Sequence, residues 1–182
     1  MRLSPALRKA ALAAHLALSV GWLGAVAAYL PLDLSAATST DPQVLRAAYL
    51  GMGAIAGSVI VPLALGALLT GLLVSLGTKW GLLRYWWVVV SLALTTLATV
   101  VLLVETGTIA AHAAVAADPR ASNADLRALG STLVHSVGGA LVLLVVLVLN
   151  IYKPQGLTPY GWRKQREERR ALQRTGLGGG PN

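Results

Sequence analysis

Three histidines and one glutamate could do chemistry here, and all four lie inside long apolar runs: His15, Glu105, His112 and His135. An ionisable side chain in such a run is costly unless it meets a partner. Glu105 and His135 can form one pair, the carboxylate favouring a protonated ring and the ring an ionised acid. A neutral pair sharing one hydrogen bond is the alternative. Either form can pin two helices together, and either can handle a proton or a metal ion. Thr108 and His112 follow Glu105 at i+3 and i+7, so the three share one helix face. With His135 they make two imidazoles and a carboxylate, a donor set able to hold a divalent metal. The plainer reading makes His112 an interfacial ring.

His15 shares a face with Ser19 and Trp22 at i+4 and i+7. A histidine inside a helical bundle is an available haem ligand, so haem b at His15 or at His135 is the candidate cofactor. The plainer reading is a hydrogen bond from one helix to the next. No cysteine occurs, which excludes disulfides, thiolate metal sites and thiol nucleophiles. No nucleophile, base and orienting group are legible as a set, which argues against a hydrolytic enzyme.

These residues need elements to hold them, and the elements are apolar spans. The 182-residue chain is 55% hydrophobic and 12% charged, against roughly 25% charged in soluble domains. A soluble fold of this size leaves too much surface exposed to hide that composition. Apolar spans cover about 10–32, 47–78, 85–117 and 128–152, the third with Glu105 inside it. Each exceeds the ~20 residues needed to cross a bilayer as helix. None alternates with period two, so helices are predicted rather than strands. The expected fold is all-α: a four-helix membrane bundle over residues 1–152, then a basic tail over 153–182. Pro62 lies inside the second span and predicts a kink.

Lys and Arg collect at alternate ends. Arg2, Arg8, Lys9, Lys79, Arg84 and seven residues of the tail fall on one side; Arg46, Arg120 and Arg127 fall on the other. That asymmetry predicts both termini in the cytoplasm of a multi-pass cell-membrane protein. The segments with Asp33 and Asp41, and with Asp118 and Asp125, then face outward. Trp80, Tyr85, Trp86, Trp87 and Tyr152 are expected as an inner aromatic belt. Arg8, Lys9 and Ala25-Val26-Ala27 also fit a cleaved signal peptide, but the apolar run continues to Leu32, as a retained span does.

Counting from the inner markers Lys9, Arg84 and Lys153, His15 lies ~9 Å up, Glu105 ~31 Å and His135 ~27 Å. Glu105 and His135 are therefore predicted to face each other. His112, at ~42 Å, falls at or beyond the outer surface. His15 and His135 differ by ~18 Å on this count, and by ~10 Å counted from the outer ends; neither favours a shared iron.

The net charge of +8 belongs to loops and tail. It points to anionic lipid at the membrane surface rather than to nucleic acid. In the tail, Thr158 and Pro159 predict the cap and first residue of a helix. Gly178-Gly179-Gly180-Pro181 predicts a disordered end. Gly21 with Ala25, Gly24 with Ala28, and Gly53 with Gly57 are small-xxx-small pairs for close helix packing, the last also able to drive a homo-oligomer. Gly138 and Gly139 leave room beside His135 for a neighbour or a ligand edge.

The inner loop Gly77-Thr78-Lys79-Trp80-Gly81-Leu82-Leu83-Arg84-Tyr85-Trp86-Trp87 and the tail start Tyr152-Lys153-Pro154-Gln155-Gly156-Leu157-Thr158-Pro159-Tyr160-Gly161 resemble an uncharacterised four-helix membrane family of actinobacterial type. That resemblance covers nearly the whole chain and implies no activity. His15 with Trp22-Leu23-Gly24 is distantly similar to the first helix of the copper-resistance protein D group and of membrane haem-containing protoporphyrinogen oxidases. There the first-helix histidine is tied to metal or haem, and the similarity implies such a role for His15 alone. Relatives often carry a further histidine near Tyr85 and a lysine near Ser91; this chain has neither. The expected function is a structural or accessory subunit of a membrane complex, with a membrane protein as partner. A haem- or metal-binding redox or transport accessory is the alternative. A small proton-coupled carrier is disfavoured, because no inverted repeat appears.

Overall fold

In the computed structural model, residues 4–77 and 81–174 are described. Arg2, Thr78, Lys79, Trp80 and the Gly178–Pro181 run lie outside them. The helices in chain order are α1 (Pro5–Thr38), α2 (Pro42–Gly77), α3 (Trp86–Ala117), α4 (Asn123–Ala128), α5 (Leu133–Tyr152) and α6 (Pro159–Arg174). No strand occurs among the described residues; the single bridge joins Tyr85 and Leu157. Four helices, α1, α2, α3 and α5, are long and apolar enough to cross a membrane.

Helix α1 opens on Ser4, whose hydroxyl accepts from the Leu7 amide, with Pro5 at the first helical position. It runs through Pro31 to Thr38, six residues beyond the expected end at 32. Its buried stripe is Trp22, Val26, Tyr29 and Asp33, spaced four, three and four. Asp33, expected just beyond the first span, lies within the helix and is 0% exposed. A carboxylate two residues after a proline reads as the end of a span; here it continues the helix's inner face.

Helix α2 is capped by Asp41, which accepts from the Gln43 amide at 2.8 Å. At Ala56–Ile60 the α-helix gives way to a π turn, closed by the Val61 amide reaching back to the Ala56 carbonyl. The cause lies beside it: Pro62 has no N–H to offer Ser58, and the turn widens where that bond is missing. Small residues let the helices close up. Gly71 faces the His15 ring, and a methyl on Gly53 would sit 2.6 Å from Ala113 on α3. Gly57, its partner in the small-xxx-small pair, meets nothing within 4 Å.

Helix α5 starts at Leu133, five residues later than expected, because Leu129–Ser131 form the loop. It packs between α1 and α3 and fully buries one side chain, Leu143. Asn150 holds its C-terminal half to α3 through Ser91, 3.4 Å away. Of the expected aromatic belt, Trp86 and Tyr152 are exposed, whereas Trp87 is buried.

The tail does not hang free of the bundle. The Trp86 amide donates to Gly156, and the Thr158 amide to Arg84, both at 3.0 Å. Thr158 then caps α6 by accepting from Gly161. Gly161 lies against the Arg84 carbonyl so closely that any side chain there would overlap it. Arg84 reaches Glu168 through both guanidinium nitrogens, at 3.2 and 3.0 Å. That bidentate bond raises the Arg84 pKa further above its ordinary range.

Candidate functional site

Polar side chains gather where the C-terminal halves of α1 and α3 meet the N-terminus of α5. At their centre is Asp33. It accepts from Ser136 Oγ at 2.7 Å, Thr132 Oγ1 at 2.9 Å, and the Thr132 amide and Ser131 Oγ, each at 3.2 Å. Thr132 is the N-cap residue of α5 but makes no side-chain cap to its own helix. Its hydroxyl goes to Asp33 instead. A carboxylate from α1 thus supplies what an N-cap supplies, at the end of α5 where negative charge is favoured. The proton of Thr132 Oγ1 is committed to Asp33, so in its 2.9 Å contact with Tyr29 the tyrosine hydroxyl donates.

Beside this saturated carboxylate stands a bare one. Glu105 and His135, which depth counting put at one level, lie 3.7 Å apart, Oε2 to Nδ1. That is an ion-pair distance and too long for a hydrogen bond. Glu105 is 20% exposed and His135 53% exposed.

His112 does not join them. Its ring packs edge-on against Tyr49, centroids 5.5 Å apart, and its buried Nδ1 has no hydrogen-bond partner. Among the described residues no three His, Cys, Asp or Glu side chains converge to hold a metal. His112 stands seven residues, ~10.5 Å, along α3 from Glu105, so Glu105, His112 and His135 do not come together as one set.

His15 lies far from this cluster. Its Nδ1 is 3.1 Å from the Ala67 carbonyl and 3.2 Å from Thr70 Oγ1. The carbonyl can only accept, so Nδ1 carries the proton and only Nε2 stays available to a ligand. Tyr29, bonded to Thr132, marks the level of the cluster. His15 is fourteen residues further down α1, or ~21 Å. One iron cannot bridge His15 and His135 across that span. The histidine fixes α1 to the C-terminal half of α2, and Gly71 leaves the space for its ring.

Below Glu105 and His135 a cleft of about 230 Å³ opens between α1, α2, α3 and α5. Trp22, Val26, Ile60, Leu102 and Leu143 form its walls. Irregular backbone contributes as well: Ala56 and Ile60, first and last of the π turn, both line it. Gly138 and Gly139 line it too, and a methyl on either would meet nothing within 4 Å. Leu97, Val101 and Val134 stand at its rim and are exposed, Val134 by 83%. The cleft therefore opens sideways between α3 and α5.

Two cations near this end of the bundle, Arg46 and Arg127, are occupied elsewhere. Arg46 donates to the carbonyls of Ala116, Asp118 and Ala121, closing the C-terminus of α3. Arg127 donates to Thr40 at 2.8 Å. Ser122 and Asp125 form a capping box at α4.

Compared with protein-family models, curated proteins and solved structures, the chain matches none.

Proposed function

We propose that the chain is a multi-pass protein of the cell membrane, with both termini in the cytoplasm, acting as a structural or accessory subunit of a membrane complex. One observation carries this reading. His15, Asp33, Asn150 and the Glu105–His135 pair join helices, while large apolar side chains cover the outward faces. Leu69, Leu73, Val104, Leu141 and Ile151 are each at least 57% exposed. Contiguous apolar surface of that kind is stable against lipid or another apolar protein, not against water. The distribution of Lys and Arg supports the orientation.

The tail fits the same scheme. On α6, Arg163, Arg166, Arg170 and Arg174 follow at i, i+3, i+7 and i+11, one stripe. Gly161 and Glu168, which contact Arg84, lie on the other side. Such a stripe suits anionic headgroups of the inner leaflet, at about 1 kcal/mol per basic residue. Membership of the four-helix family that the inner loop and tail start resemble belongs to the same proposal.

The test is a carbonate wash of membranes, combined with a reporter fused after Asn182. The protein is expected in the pellet, with the reporter active only inside the cell. Recovery in the supernatant, or a reporter active outside, overturns the proposal. Cross-linking in native membranes then identifies the partner subunit.

A further inference from the structure

The polar end of the cleft offers hydrogen-bond acceptors and almost no donors. Asp33 takes the hydroxyl protons of Thr132 and Ser136, and Thr132 takes that of Tyr29. What Thr132 and Ser136 still present is lone pairs. Glu105 adds a carboxylate that accepts no hydrogen bond, its nearest partner being His135 at 3.7 Å. Buried or half-buried acceptors in this state call for a donor. Neither Arg46 nor Arg127 supplies it, since both are bonded to carbonyls. The local field is that of two carboxylates, with the His135 ring as the one base against them.

The rest of the cleft is hydrocarbon and runs toward the inner leaflet. Helix α5 has 20 residues, ~30 Å, which matches the hydrocarbon core. His135 is its third residue, so Glu105 and His135 sit at the outer boundary of that core. Leu143, at the lower wall, is ~12 Å further in. A head at the boundary and a chain pointing inward are the posture of an amphiphile in the outer leaflet. The volume falls below the usual range for drug-sized pockets; it suits one chain and excludes a two-chain phospholipid.

We propose that this cleft binds a single-chain lipophilic amine, entering sideways between α3 and α5. An alkylammonium head has three N–H donors and no acceptor, the complement of what Glu105, Ser136 and Thr132 present. Its charge answers Glu105, and its chain lies along Val26, Ile60, Val101 and Leu143. A fatty acid brings a third negative charge to the same point. An alcohol of equal chain length brings a single donor and no charge.

The inference rests on the membrane reading, which the carbonate wash tests separately; an amine titration cannot mimic that failure. The probe is dodecylamine, added at neutral pH to the full chain purified in mild detergent, with dodecanol and dodecanoate as chain-matched controls. Thermal melting is followed by tryptophan fluorescence. Dodecylamine is expected to raise the melting temperature saturably, and dodecanoate not at all. Dodecanol, and dodecylamine with Glu105→Gln, should bind at least about ten-fold more weakly, the loss of one charge-assisted hydrogen bond. Gly139→Leu fills the cleft where there is space for it and should abolish the effect. Gly107→Leu adds the same side chain at an exposed position of α3 outside the cleft and should preserve it. Equal stabilisation by dodecanol or dodecanoate, or undiminished amine binding in Gly139→Leu, overturns the proposal.

Discussion

Replacing Asp33 by asparagine tests the hinge of the outer architecture. Four donors converge on this carboxylate, and they differ in what they lose. Ser131 is exposed, so water can serve it. Ser136 has a second acceptor, the Leu133 carbonyl at 3.2 Å. The amide of Thr132 has no other acceptor, its hydroxyl could turn only to Tyr29, and Thr132 is 5% exposed. Asparagine keeps one carbonyl oxygen and turns an NH2 toward the remaining donors. One buried hydrogen bond to a charged acceptor is lost outright, and one donor faces another, for about 2–4 kcal/mol. At ~2–4 °C per kcal/mol for a chain of this size, the melting temperature should fall by roughly 5–15 °C. Amide exchange should accelerate at Thr132 and Leu133 while the middle of α5 stays protected. Glu167→Gln, on the exposed side of α6, is the control and should shift melting little. If Asp33→Asn melts within about 1 °C of the wild type, the hub contributes nothing and the reasoning is refuted.

Three further substitutions or conditions probe other joints. Gly161→Ala places a methyl on the Arg84 carbonyl and should release α6, read as faster trypsin cleavage between Arg163 and Arg174 with an intact membrane core. Gly53→Val overpacks the crossing of α2 and α3 and should cost about 1–3 kcal/mol by thermal melting. Ser122, through its hydroxyl and then its amide, holds Asp125 below the ordinary carboxylate range, so the capping box stabilises α4 at neutral pH. That contribution should vanish only as pH falls through this lowered value, below the usual 3.8, seen as a late loss of the Asp125 carboxylate signal in an NMR titration.

The spans were legible because nothing but a helix satisfies so long an uncharged run. Glu105 and His135 were legible as well: each is an isolated charge-bearing group, and residue counting from basic ends gives height without knowledge of packing. Asp33 was not. Its donors lie some hundred residues away, and nothing local separates a buried carboxylate near a helix end from a loop aspartate. A signal did exist, since Asp33 continues the spacing of Trp22, Val26 and Tyr29. The docking of the tail was hidden for a similar reason. Gly161 must be glycine only because the Arg84 carbonyl approaches it, a contact no local pattern announces. The π turn needed knowledge of how the missing Pro62 bond would be absorbed, by bending or by widening. Ser122-x-x-Asp125 was readable as a cap and simply lay within the run assigned to a loop.

Helix α5 is tied at its N-terminal end through Asp33 and near its C-terminal end through Asn150 and Ser91, with a pair of glycines between the knots. A rod held so can bow at its waist without losing its place. Side-chain changes along that waist should alter what passes between α5 and α3 far more than they alter topology.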